Sequence, residues 1–339
     1  MVNTHLGDVE TSPRSVSEKN GKKFILTREF TVLLALAVIF ITFSLFSKDF
    51  LGPFIFPGIL LLGSELAILA MGETFVIVSG EIDLSIASVY GWGAVIGTVL
   101  SNLGFPFPVS FLLAIGFGCL IGLGNGLLTV KFKIPALITT LGTMWILRGL
   151  LIGGFGGSFI SYKGEKSFLL SALGGRIGYF PRLFFWFIGI ALLFNYLLNH
   201  SKLGNWIQAT GGSRETARAL GVNVNRTKII CFMISSALAA FAGAVYIART
   251  DWFMTRIGMS SMGYGMEIEA IAASVMGGTA FSGGVGSIVA VSLAAFAFSS
   301  FKSGLILAGA SGYWIDAAVA LLLIIFCLLQ GMGRGKNRM

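Results

Sequence analysis

Six carboxylates and one guanidinium stand where this chain is otherwise apolar. Glu65 and Glu73 share one apolar run, Asp83 begins the next, Glu267 and Glu269 open another, Asp316 sits in the last, and Arg148 falls near the middle. At the centre of a membrane helix an acid costs about 2.5–3.5 kcal/mol on insertion scales, so such groups face protein or a water-filled cavity. Glu65 and Glu73 are eight residues apart, about 80° on a helical wheel. Arg148 has the charge to neutralise one of the acids. Structural pairing or helix capping accounts for each of these residues; lining a solute path is the alternative, and Glu73 and Asp83 are its better candidates. Neutral hydrogen-bonding groups accompany them: Ser85, Ser88, Asn125, Thr139 and Ser282. Covalent chemistry has little to work with. His5 is in the N-terminal tail and His200 at a helix end, no metal cluster or nucleophile–base pair shows a telling spacing, and no G-x-x-x-x-G-K-[ST] phosphate loop is present.

The surrounding elements explain why those residues are conspicuous. Of 339 residues, 55% are hydrophobic and 12% charged, about half the charge density of soluble domains, and the mean hydropathy is +0.86. Glycine contributes 46 residues, a surplus that permits close helix packing in lipid. The fold class is all-α, a polytopic transmembrane helical bundle; the ten-residue alternation of a membrane barrel is missing. A span needs about 20 apolar residues, which places helices near 30–46, 57–79, 84–101, 109–130, 135–153, 183–200, 229–248, 266–278, 286–301 and 313–330. The first is a retained span, because FSKDF is a poor cleavage site. About 10 spans put both termini on one side. That side carries 15 Lys and Arg against 8 on the other, so it is the cytoplasm. The organisation is then a cytoplasmic tail (1–28), a permeation domain (29–332) and a short cytoplasmic tail (333–339). Cys119, Cys231 and Cys327 all fall in apolar runs and read as small buried hydrophobes. Gly118, Gly122 and Gly126, four apart, mark a close helix–helix contact.

Two glycine-containing breaks, SGEIDLSIAS and GGTAFSGGVGS, separate paired spans on the same side. Irregular backbone at membrane depth survives only where protein or a cavity covers it, so Gly80 and Gly278 belong to candidate gates. Their shared Gly-x-x-x-[Leu/Phe]-Ser pattern hints at an internal repeat. A polar island at 201–228 has five basic residues and one acid. Within it SRETARALG fits one short amphipathic helix, with Ser213 as N-cap, Glu215 in the first turn and Gly221 just past the end. Ala217 and Leu220 form a small apolar strip; Arg214 and Arg218 share another face. A solvated loop that only sets topology is one account of the island; a docking element is the other.

Resemblance favours docking. Glu215-Thr216-Ala217-x-x-x-Gly221 resembles the Glu-Ala-Ala-x-x-x-Gly loop of ABC-importer permeases, departing from it at Thr216 and lacking the Ile-x-Leu-Pro continuation. FVIVSGEIDLSIAS (75–88), GNGLLTVKFKIPALITTLGTMWILRGL (124–150), ATGGSRETARALGVNV (209–224) and AIAASVMGGTAFSGGVGSI (270–288) are together similar to the ribose/xylose/arabinose-type sugar permeases, over roughly 55–330. Glu81 departs from the family, which usually has a second glycine there. The resemblance implies a permease subunit of an ATP-binding-cassette importer for a small sugar, in the cytoplasmic (inner) membrane of a prokaryote. It implies a partner ATP-binding cassette subunit, an extracytoplasmic sugar-binding protein and a second permease copy, as homo- or heterodimer. The chain itself would bind no cofactor and perform no catalysis; ATP and Mg belong to the partner subunit. Arg214, Glu215, Thr216, Ala217, Arg218 and Gly221 would couple to that ATPase. A sugar needs hydroxyl and amide partners, not a fixed charge, so Ser85, Ser88, Asn125, Thr139 and Ser282 would line its path; Glu73 and Asp83 are the acids that would join them, and Gly80 and Gly278 belong to the gates. A signalling furanose, nucleoside or sugar alcohol fits the same features. An ion-coupled secondary transporter with a midplane site is the rival outside the family, and a membrane-embedded enzyme is disfavoured because neither histidine lies within a span.

Overall fold

A computed structural model describes residues 28–155, 159–249, 256–258 and 263–335. The N-terminal tail expectation lies outside the described residues, as do the side chains of Asp316 and Cys327 in the last helix. Thirteen helices are described: α1 (Arg28–Phe46), α2 (Ile55–Val78), α3 (Ile86–Asn102), α4 (Phe107–Val130), α5 (Ala136–Phe155), α6 (Phe168–Leu173), α7 (Arg182–His200), α8 (Lys202–Gly212), α9 (Arg214–Ala219), α10 (Val224–Arg249), α11 (Met266–Met276), α12 (Ile288–Leu307) and α13 (Gly312–Gly335). Ten coincide with the expected spans to within a few residues. Seven of them, α1, α2, α4, α5, α7, α10 and α12, are long and apolar enough to cross a membrane. Two others are shorter than the ~20 residues a bilayer core requires: α3 has 17 and α11 has 11.

Five helices form the core. α2 packs along α12 and α10, and α10 along α3 and α4. Glycines set the spacing, as expected for α4. A Cβ on Gly126 would come within 2.9 Å of the Ile229 Cα, and one on Gly118 within 2.6 Å of the Ala240 Cβ. Hydroxyls inside this core largely satisfy themselves on their own helix. Ser64 donates to the Leu60 carbonyl (2.6 Å), Thr74 to Ala70 (2.7 Å), Thr98 to Ala94 (2.8 Å) and Ser292 to Ile288 (2.7 Å). These i−4 bonds spare a polar group the cost of meeting lipid. At the periphery, α1, α5 and α7 expose apolar faces, among them Leu34, Ile41, Ile138, Ile146 and Leu192. Contiguous apolar surface of this kind needs lipid or another subunit to cover it. α1 is anchored by Phe43, which stacks on Phe50 and meets Phe301 edge-on.

The two ends of the bundle differ. At one end the strand Phe159–Ser161 pairs antiparallel with Arg256–Gly258. There Asn102 at the end of α3 donates to the Ser161 carbonyl and accepts from the Lys163 amide. At the other end gather the start of α1, both breaks, the α4–α5 turn and the island.

Candidate functional site

The island contains more structure than expected. A single short helix was anticipated, but α8 precedes it and α10 begins at Val224 instead of 229. Ser201 starts α8, accepting from the Gly204 amide at 3.1 Å. Ile207 and Thr210 are buried, and Gln208 donates back to the Leu198 carbonyl at 2.9 Å. The chain therefore folds back against the end of α7. Ser213 then caps α9, accepting from the Thr216 amide at 3.3 Å. Gly221 closes it with φ +81°, a left-handed value natural to glycine. Glu215, Thr216, Arg218 and Leu220 are exposed, whereas Ala217 is 1% exposed and faces the protein itself. Of the expected apolar strip only Leu220 remains outward.

Both breaks meet the island directly. α2 ends at Ser79 and α11 at Gly277, each followed by a glycine in the left-handed region, Gly80 (φ 84°) and Gly278 (φ 81°). The turns carry the same bonds: Gly80 to Ile77 and Glu81 to Val76, Gly278 to Val275 and Thr279 to Ser274. Both are Schellman closures, as are the helix ends at Gly104, Gly221 and Gly309. The turns pair Gly80 with Gly278, one position off the Gly-x-x-x-[Leu/Phe]-Ser alignment, so the backbone does not follow that pattern. The Gly284 amide donates to the Val78 carbonyl at 2.8 Å, joining the breaks. Gly211 of α8 fills the junction. A Cβ there would lie 2.5 Å from the Gly284 nitrogen and closer still to the Val78 oxygen.

Behind the first break lies a buried polar cluster. Asp83 belongs to the turn before α3, not to the helix itself, and its amide donates to Glu73 Oε1 at 3.0 Å. Asp83 Oδ1 accepts from the Ser85 amide (2.9 Å) and hydroxyl (2.5 Å), and Oδ2 accepts from Ser236 (3.4 Å). Asn125 donates to the Ser85 hydroxyl at 2.8 Å and accepts from Thr143 at 2.6 Å. Glu73, Asp83, Ser85 and Asn125, picked individually from sequence, thus form one cluster. Glu73 Oε2 is buried without a partner, as is the Thr139 hydroxyl. Ser88 is spent on the Met144 carbonyl (2.8 Å), tying α3 to α5. Ser282 sits apart, exposed on the second break, and the Arg28 side chain covers Gly278.

Other expectations resolve differently. Glu65 accepts from the Tyr90 hydroxyl, and Glu269 pairs with Lys302 at 2.6 Å. Arg148 neutralises no acid among the described residues. It lies over the Tyr264 ring, 4.8 Å from its centroid, because an aromatic face answers a guanidinium without burying a second charge. Sequence reasoning missed Thr143 and Ser236, which complete the buried cluster. It also missed the ionic contacts of Glu81, which accepts from Arg214 at 3.0 Å and from Lys228. Beside that cluster a cavity of about 400 Å³ is lined by Lys133, Arg214, Arg218 and Lys228 against the one acid, Glu81. Such a basic cavity, next to an exposed cationic helix, suits an acidic protein surface.

A family described as "Branched-chain amino acid transport system / permease component" matches residues 55–328. Among curated proteins, the chain is 34% identical to "Autoinducer 2 import system permease protein LsrC" of Enterobacter sp. (strain 638), covering 91% of this chain and 88% of that one. It is 32% identical to the proteins of the same name from Salmonella typhi and Escherichia coli (strain K12 / DH10B), again over 91% of this chain and covering 87% and 89% of those proteins. No solved structure matches significantly. Since the family match runs from α2 into α13 and takes in both breaks, the buried cluster and the island, this chain belongs to the ABC-importer permease family, as a multi-pass membrane translocation subunit.

Proposed function

We propose that this permease moves a small sugar or a signalling furanose inward across the cytoplasmic membrane of a prokaryote, driven by a separate ATP-binding cassette subunit that docks on α9. On this reading there are ten spans, α3, α11 and α13 completing the seven long helices, and both termini, the island and both breaks would face the cytoplasm. The arrangement that carries this reading is the position of α9. It is exposed, cationic and capped at both ends, and it follows the one helix, α8, that contacts both breaks through Gly211. Motion applied to α9 therefore has a short route to both glycine-containing breaks. The relatives' names make autoinducer 2 the first cargo to test. An extracytoplasmic binding protein would select and deliver it, and a second permease copy would cover part of the exposed apolar surface.

Docking is tested by Glu215→Lys with Gly221→Trp. Both residues are exposed, and a Cβ at Gly221 meets no atom within 4 Å, so the permease keeps its fold while the dipole-stabilising acid and the closing turn are lost. The expected result is a monodisperse permease that no longer co-purifies with its ATPase subunit. Undiminished association would remove α9 from the docking surface. Uptake into sealed vesicles driven by a sodium or proton gradient without ATP would instead support a secondary transporter.

A further inference from the structure

Glu81 follows Gly80 in the first break and is the acid there that meets cations. Its carboxylate meets cations from two other elements, Arg214 of α9 and Lys228 of α10. The Lys228 side chain is 5% exposed and that of Glu81 14%, so solvent and salt screen this pair less than a surface pair. Arg214, 55% exposed, reaches in from the docking helix and also approaches the Gly80 carbonyl at 3.4 Å. Two residues further on, the Asp83 amide holds Glu73 and its carboxylate holds Ser85. The other link between island and breaks is the packing of Gly211 on Val78 and Gly284. Packing passes on a push; an ion pair also resists a pull.

We propose that Glu81 is a positioning residue that tethers α9 to the first break, so that displacement of α9 by the docked ATPase draws on the turn holding Asp83 and rearranges the Glu73–Asp83–Ser85–Asn125 cluster. This rests on α9 being the docking helix. Neutralising Lys228 is a second service the same carboxylate performs, since an unpaired buried charge is costly. The two services separate experimentally.

The test uses the permease–ATPase complex in proteoliposomes, with spin labels at Phe132→Cys on the α4–α5 turn and Phe281→Cys on the second break in a cysteine-free background. Both side chains are exposed, 64% and 58%. The inter-label distance is measured without nucleotide and after trapping with ATP and vanadate, so no cargo is needed. In the parent complex trapping shifts the distance distribution. With Glu81→Gln the ATPase still co-purifies at the parent ratio but the shift is lost, and Glu81→Asp restores most of it. In Glu81→Gln/Lys228→Met the buried charge is gone with its partner, thermal stability recovers, and the shift stays lost. A full shift in Glu81→Gln overturns the proposal, and so does its return in the double variant, which would reduce Glu81 to a counter-ion. Loss of the ATPase from Glu81→Gln overturns it as well, by placing Glu81 in docking. Failure of the docking reading is distinct: it appears as retained ATPase in Glu215→Lys/Gly221→Trp, whatever Glu81 does.

Discussion

The two breaks share a backbone and differ in what holds them. Each ends a helix in the same closure, with Gly80 and Gly278 at nearly equal positive φ. The first break then presents Glu81 to Arg214 and Lys228, and hands the chain to a buried carboxylate cluster. At the matching position the second has neutral Thr279, buried with its hydroxyl unpartnered. Beyond the Gly284–Val78 backbone bond, a side-chain tie runs elsewhere: Ser287 donates to Glu29 of α1 at 2.7 Å. Duplicated geometry has thus been given unequal connections, one break joined ionically to the island and the other joined to the N-terminal helix. A turn geometry by itself does not make a gate; the partners of its side chains decide which movement it feels.

The largest effect expected is from destroying what the breaks share. Gly211→Val drives a side chain into the Val78 and Gly284 backbones at once, neither of which can yield cheaply. The loss of stability should exceed about 4 kcal/mol, read as aggregation in detergent or a collapsed Tm. The same substitution at Gly212, where a Cβ meets nothing within 4 Å, should cost no more than about 1 kcal/mol.

Next comes the asymmetry. Asp83→Ala removes the acceptor of the Ser85 amide and hydroxyl and leaves them buried, a cost of about 1–3 kcal/mol with a marked fall in cargo uptake. At the other break Ser282→Ala alters an exposed side chain, and its effect on stability should lie within about 0.5 kcal/mol by thermal unfolding. Equal effects at both positions would erase the distinction between the breaks.

How much of this was legible in the sequence depends on separation along the chain. Apolar runs fixed ten helices because lipid leaves backbone no alternative to helix, and Gly118, Gly122 and Gly126 declared their contact through spacing alone. α8 was passed over because NWIQATGG is glycine-rich and polar. Its signal was present in Ser201 as cap and in Leu203 and Ile207 four apart. Glu73, Asp83, Ser85 and Asn125 could be chosen by type, but not joined, since their partners come from different helices. Glu81 was visible only as a departure from a pattern; its cations are 133 and 147 residues away. Arg148 found a ring where an acid was expected, a choice that composition does not express.

The central claim, that α9 is the cytoplasmic docking site of the ATPase, is tested most directly at Leu220, which is 75% exposed. A Leu220→Cys permease should react with a membrane-impermeant maleimide in inside-out vesicles and not in right-side-out ones, and the bound ATPase subunit should protect it. Labelling from the outer face, or equal labelling with and without the ATPase, would contradict the account.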